Sequence, residues 1–364
     1  MFTPSCLPIL IGSLPLEDHQ EAARLVMAYT PEIPLWPQLP KLPKEGMIRQ
    51  FIDGLPGLTE DGSRFWLNSD HERFAEEMAM FYQEYMEQTE DPPISSRSRF
   101  ALTPDTAQGF FAFLQVLERD HPISLGVKGQ VTGPMTTGIG VKDQHGSSIF
   151  YDDTLRDIVV KLISLKARWQ VEQLKPYAKA FPPIIFIDEP GIVSFGSTAY
   201  TSVTKEMATG SVREVIGEIK SAGGLAGVHI CANGDWAPVL ESDTDLISFD
   251  SYSYFDNFIL YRQPLINFIE RGGVLVWGIV PTGDPRSIEQ ESPASLFSKW
   301  QQQLEAMVNL GIPRKRLLQQ TLIAPSCGTG SLSTDQAMKV LSLTAELSKK
   351  IRKDFGISTP ETLR

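Results

Sequence analysis

Short runs of uninterrupted apolar residues, set at intervals along the chain, restrict its fold more than any other feature. Residues 183–187 read Pro-Ile-Ile-Phe-Ile, 274–280 read Val-Leu-Val-Trp-Gly-Ile-Val, and 317–324 close on Leu-Ile-Ala. A strand with one wet face alternates apolar and polar residues, so a strand that is apolar throughout is covered on both faces. Helix-length segments separate these runs. Strand and helix in alternation, with the strands buried on both sides, is the pattern of a parallel sheet wrapped in helices.

Eight strand candidates follow, at residues 7–14, 32–39, 123–131, 183–187, 225–231, 245–249, 274–280 and 317–324. Helices are expected over 16–29, 74–88, 106–117, 154–180, 212–222, 257–271, 293–310 and 335–352. Glu17, Asp18 and Glu21 stand near the start of the first helix, where the helix dipole favours acids. Residues 32–39 (Glu-Ile-Pro-Leu-Trp-Pro-Gln-Leu) hold prolines that forbid helix, so they are expected to be extended. Residues 43–72 carry glycines, Pro56 and scattered charges, and 43–100 is expected to be in part an excursion between early units. Residues 91–99 and 141–148 are expected as loops, the second a mobile one. Eight β/α units predict an α/β chain folded as a (β/α)8 TIM barrel, a single domain over 1–364. A doubly wound open sheet is the alternative; it is disfavoured because no Gly-x-Gly-x-x-Gly follows the first strand.

Composition narrows the partners. The net charge of -11 and pI of about 5.1 argue against nucleic acid or an anionic membrane surface. Three cysteines, Cys6, Cys231 and Cys327, are too few for a disulfide framework and suit a reducing compartment. The start, Met-Phe-Thr-Pro-Ser-Cys, has no signal-peptide pattern, and no apolar run approaches the roughly 18 residues of a membrane span. A cytoplasmic protein is expected.

In a TIM barrel the carboxyl ends of the strands share one rim, where the active site lies. Every unusual polar cluster here follows a strand: Ile11-Gly12-Ser13, Trp36-Pro37-Gln38, Thr132-Gly133-Pro134, Asp188-Glu189, His229-Ile230-Cys231, Asp250-Ser251-Tyr252 and Cys327. His229 and Cys231 are two apart on a strand and so face the same side. With Cys327 they make an imidazole and two thiols, a zinc set with room for an exchangeable ligand. Each cluster also has a plainer explanation: a satisfied core histidine, small buried thiols, turn glycines, Asp188 or Asp250 as a cap, and Trp36 as packing. His19, His71, His121 and His145 are expected on the surface, and Cys6 at the opposite end of the barrel.

On these motifs, together with Ile187-Asp188-Glu189-Pro190, Ile247-Ser248-Phe249-Asp250 and Pro325-Ser326-Cys327-Gly328, nearly the whole chain resembles the catalytic C-terminal barrel of cobalamin-independent methionine synthase. The wider group holds uroporphyrinogen decarboxylase and the corrinoid-dependent coenzyme M methyltransferases. The resemblance implies a zinc-dependent methyltransferase, with His229, Cys231 and Cys327 on Zn2+ and homocysteine as acceptor, giving methionine. Asp250 stands where the family has a glutamate ligand and is one methylene shorter; it, a neighbouring group or water would complete the zinc. Ile11, Ser13, Asp188 and Glu189 would face homocysteine, and Asp188, His229, Cys231 and Cys327 would carry catalysis. Trp36, Thr132, Gly133 and Pro134 would line the donor side. The family's second-strand glutamate, which meets the substrate amine, has no match on paper.

The folate-using enzyme has a second, N-terminal barrel that is absent here. The donor is therefore expected to be a methylcorrinoid, free or on a corrinoid protein, or methyltetrahydrofolate. The alternatives are a methylcorrinoid:coenzyme M-type thiol methyltransferase, a uroporphyrinogen decarboxylase-like barrel, or a non-catalytic corrinoid-binding barrel. The decarboxylase needs no metal, and its arginine-rich N-terminal motif is missing.

Overall fold

The central strands of the sheet bury both of their faces, in two separate apolar clusters. Ile184 and Phe186 pack into one and Ile185 and Ile187 into the other; Val274 and Val276 divide from Leu275 and Trp277 in the same way. The first cluster fills the concave side of the sheet and the second lies under the helices. This is the arrangement that uninterrupted apolar strands require.

A computed structural model describes residues 2–62, 64–90, 93–120, 124–193 and 203–358. His121, Ile123 at the start of an expected strand, and Asp91 at the start of an expected loop lie outside the described residues. The strands are β1 (Leu7–Pro8), β2 (Leu58–Asp61), β3 (Arg64–Leu67), β4 (Lys128–Thr132), β5 (Ile184–Asp188), β6 (Leu225–Ile230), β7 (Leu246–Phe249), β8 (Val274–Val280) and β9 (Thr321–Pro325). Seven of them form one parallel sheet in the order β1-β9-β8-β7-β6-β5-β4, while β2 and β3 make a separate antiparallel pair. Helices alternate with the sheet strands, among them Asp153–Leu174, Lys205–Ser221, Pro293–Asn309 and Thr334–Asp354. No described helix is long and apolar enough to cross a membrane.

The expected closed ring of eight strands is corrected to a curled seven-stranded sheet that is TIM-like without full closure. The expected second strand, 32–39, lies in the seam between β4 and β1 and pairs only by isolated bridges, Leu35 with Lys128 and Ser13 with Gln38. Its carbonyls serve β4: Glu32 accepts from the Leu125 amide at 2.8 Å and Pro34 from the Lys128 amide at 2.8 Å. Toward β1, the Gln38 amide donates to Gly12 at 3.1 Å and Leu14 donates back to Gln38 at 2.9 Å. Pro34 and Pro37 have no amide hydrogen to give, so no continuous ladder forms. Strand β1 is cut to two residues, although the Ile9 amide still reaches Ile323 at 2.9 Å.

Other boundaries move for local reasons. The first helix is His19–Tyr29, capped by the Asp18 side chain, which accepts from the Glu21 amide. The helix expected over 257–271 is two, Ser251–Phe258 and Arg262–Glu270. The span 43–100 contains two short 3-10 turns, the β2–β3 hairpin and the helix Phe74–Glu90. Just after this span, the Ala101 carbonyl accepts from buried Lys166 at 2.9 Å, a tie to the long helix Asp153–Leu174.

Candidate metal centre

Parity along the strands brings the site together. Residues i and i+2 face the same side, and Phe186 and Leu225 belong to the concave cluster. Asp188 therefore faces the concave side of β5, and His229 and Cys231 face it at the end of β6. Register places them side by side: Asp188 is opposite His229, and His229 is opposite Ser248. Cys327 enters from the loop after β9.

The ligand atoms of His229, Cys231 and Cys327 lie within 4.8 Å of one another. His229 is 4% exposed, and its Nδ1 is 2.9 Å from the Ser248 hydroxyl oxygen. With Nδ1 donating to that oxygen, Nε2 carries the lone pair, yet Nε2 is buried with no hydrogen-bond partner. A buried polar atom left unpaired costs about 1–3 kcal/mol, and a metal ion would satisfy it. The contact with Cys327 pulls the Cys231 thiol down, and the same contact pushes Cys327 up. An imidazole with a free nitrogen beside a thiolate and a second thiol is a soft-ligand set that a metal fits.

These residues open into a cavity of about 320 Å³ that Ile11, Ser13 and Asp188 also line. Ser13 is fixed by the loop that carries Cys327. Its carbonyl accepts from the Thr329 amide at 3.0 Å and the Thr329 hydroxyl at 2.9 Å, and its Oγ accepts from the Gly330 amide at 3.2 Å. Gly328 leaves room for this arrangement: a Cβ there would stand 2.1 Å from Ser13 Oγ and displace the hydroxyl. Burial pushes the Asp188 carboxyl up, with His229 and Lys128 pulling it down, and its Oδ1 has no hydrogen-bond partner.

The remaining expected site residues do not line the cavity. Asp250 is 8% exposed and caps the helix Ser251–Phe258, accepting from the Ser253 amide at 2.9 Å. It is outside the three-ligand cluster, and burial and the nearby Cys231 both raise its carboxyl. Glu189 is fully buried. Its carboxylate accepts from the Met135 amide at 2.8 Å, the Thr136 amide at 2.9 Å and the Thr136 hydroxyl, and it packs where a side chain on Gly133 would stand. Trp36 is buried, donating to Gln170 Oε1 at 2.8 Å and packing edge-on against Phe51 and Phe110. Pro134 opens the short helix Pro134–Gly140, and the Thr132 hydroxyl donates to the Met47 carbonyl at 2.6 Å.

Two charged residues near the cavity carried no sequence signal. Glu45 lines it, although its stretch, Pro-Lys-Glu-Gly, looks like an ordinary turn. Its Oε1 meets His19 Nε2 at 2.6 Å and its Oε2 accepts from the Leu39 amide at 3.2 Å. His19 is thus buried at 8% exposure, not on the surface as expected. Lys128, at the base of β4, is 2% exposed, and burial lowers its ammonium to about 8 against the pull of Asp188. Cys6 does not line the cavity; burial pushes its thiol up to about 12.

No protein-family model matches the sequence, and no curated protein matches it. Solved structures do. A B12-independent methionine synthase from Shewanella sp. W3-18-1, in complex with selenomethionine, superposes with a TM-score of 0.59 at 14% identity, covering 97% of this chain and 100% of that one. At that identity the shared property is the fold. The tandem GH20 catalytic modules of the pneumococcal exo-β-D-N-acetylglucosaminidase StrH give a TM-score of 0.43 at 10% identity, over 97% of this chain and 89% of that one. That likeness is too loose to argue from.

Proposed function

We propose that this protein is a zinc-dependent methyltransferase that moves a methyl group to a thiol, with homocysteine as acceptor and methionine as product. The observation that carries the proposal is the meeting of His229, Cys231 and Cys327 in one carboxylate-bearing cavity. The methionine synthase-like fold supports it.

His229 Nε2 and the sulfurs of Cys231 and Cys327 would hold the ion. Bound there, zinc would supply the charge that lets an incoming thiol lose its proton and stay nucleophilic at neutral pH. Ser248 keeps the His229 lone pair on Nε2. Asp250 keeps its helix cap, leaving the remaining position to the acceptor sulfur. Asp188 and Glu45 offer two carboxylates to the acceptor's ammonium, which fixes the direction of the sulfur. The sulfur takes the methyl group as the donor's bond to it breaks, the bonding pair staying with the donor.

The cavity's charge favours an amino-acid thiol over a coenzyme M-type acceptor. Among the described residues that line it there are two acids, Asp188 and Glu45, and neither lysine nor arginine. A sulfonate would find no lysine or arginine to pair with, whereas an ammonium meets its complement. The methyl donor is taken to be a methylcorrinoid or methyltetrahydrofolate. The zinc-loaded protein, given homocysteine and each donor separately, is expected to form methionine with one of them. No methionine from either, with zinc bound, would defeat the proposal.

A further inference from the structure

Lys128 is a buried ammonium on the concave face of the curled sheet, and it does not line the 320 Å³ cavity. Charge in such a place is expensive and persists only with fixed acceptors. Its Nζ donates to the Ile11 carbonyl and to Gln130 Oε1 at 3.1 Å, and it lies 5.1 Å from the centre of the Phe186 ring. Ile11 belongs to the segment after β1, on the far side of the seam. The backbone pairing that would fix this segment is thin: β1 is two residues long, and the strip between β1 and β4 makes only isolated bridges. Side chains of β4 replace the missing ladder. Gln130 Nε2 donates to the Trp36 carbonyl at 2.9 Å, and Lys128 reaches past the strip to Ile11.

Ile11 and Ser13 line one part of the cavity and Asp188 another. Lys128 is bonded to the first and acts electrostatically on the second. The donors of Lys128 go to the Ile11 carbonyl and Gln130 Oε1, so the hold on Ile11 is its direct contact with the cavity's lining.

We infer that Lys128 is a positioning residue for acceptor binding: bridging the seam to the Ile11 carbonyl, it sets the Ile11–Ser13 turn against Asp188 so that an amino-acid thiol fits between them. This rests on the cavity being the thiol-acceptor site proposed above. Lys128 touches neither substrate nor metal in this scheme, so its loss moves acceptor affinity and leaves the metal centre alone.

The test compares the zinc-loaded wild type with Lys128→Met, which removes donor and charge, and Lys128→Gln, which keeps an N–H for the Ile11 carbonyl. Homocysteine binding is measured by calorimetry, KM and kcat by turnover, zinc affinity by chelator competition, and folding by thermal melting. Lys128→Met is expected to weaken homocysteine by about 10- to 100-fold, through KM more than kcat, with zinc affinity unchanged. Lys128→Gln is expected to recover most of that loss. Homocysteine binding by Lys128→Met equal to wild type overturns the inference and leaves the proposed function standing. Loss of zinc, melting temperature and acceptor binding together in both variants also overturns it, because the role is then structural. A zinc-loaded wild type that does not bind homocysteine removes the acceptor site and the inference with it.

Discussion

Ser248→Ala tests the metal centre without touching a ligand. The Ser248 hydroxyl is 2.9 Å from His229 Nδ1, and the two residues are 1% and 4% exposed, so water cannot easily replace it. Two losses follow. Nδ1–H is left buried and unpaired, a cost of about 1–3 kcal/mol to the folded state. The imidazole also becomes free to move its proton to Nε2 or to rotate, and either must be reversed before Nε2 can bind. Removing a partner of this kind lowers metal affinity by about 10- to 100-fold, equivalent to about 1.4–2.7 kcal/mol. Competition with a chromogenic chelator at fixed pH reads this directly. Ser248→Thr, which keeps the hydroxyl on a β-branched side chain suited to a strand, is expected to stay near wild type. If Ser248→Ala binds zinc within about twofold of wild type while His229→Ala loses it, the tautomer argument is wrong.

Three further outcomes are expected. Cys231→Ser should lose roughly a thousandfold or more in zinc affinity and lose turnover with it; an active, metal-free variant would refute the scheme. Asp188→Asn, nearly isosteric, should raise the homocysteine KM by about 10- to 100-fold with zinc content intact; an unchanged KM would remove Asp188 from acceptor binding. Burial holds the Glu189 carboxyl up at about 7 against an ordinary 4.5, so the folded protein binds that proton more tightly than the unfolded chain does. The resulting stabilisation is whole below about pH 4.5 and is lost as the pH rises through about 7, a difference of about 3 kcal/mol. Urea unfolding across that window should show it in wild type and not in Glu189→Gln, and identical pH profiles for the two would contradict it.

The sheet was legible because its strands are apolar at every position, which leaves few folds open. Its closure was not. Residues 32–39 look extended, and they are, but Pro34 and Pro37 turn a strand into a strip that accepts hydrogen bonds and gives few. The three metal-ligand candidates were legible from residue type and strand parity, since thiols and imidazole at strand ends carry their own chemistry. Glu45, His19 and Lys128 were not. Their types are common on surfaces, and what marks them is burial against partners 26 and 117 residues away in sequence. Glu189 follows Asp188 in sequence but does not line the cavity, because consecutive strand residues face opposite ways. The one following the inward Asp188 turns toward the helix at Pro134–Gly140.

This division has a mechanical consequence. His229 belongs to β6 and Cys231 follows it directly, in the part of the sheet where β5, β6, β7 and β8 pair continuously, and the Ser248 that orients His229 lies on the neighbouring strand. A metal site gains from that rigidity, because ligand spacing then varies little. Ile11, Ser13, Gln38, Glu45 and Met47 come from the weakly paired seam and the turns after it. Their positions depend on side-chain ties from Lys128, Gln130, Thr132 and His19, each of which can be changed without breaking a strand. Substitutions in the seam should therefore alter which thiol is accepted and how tightly. Substitutions in the ladder should alter whether metal is held at all. The two classes of effect should separate when zinc affinity and acceptor affinity are measured on the same variants.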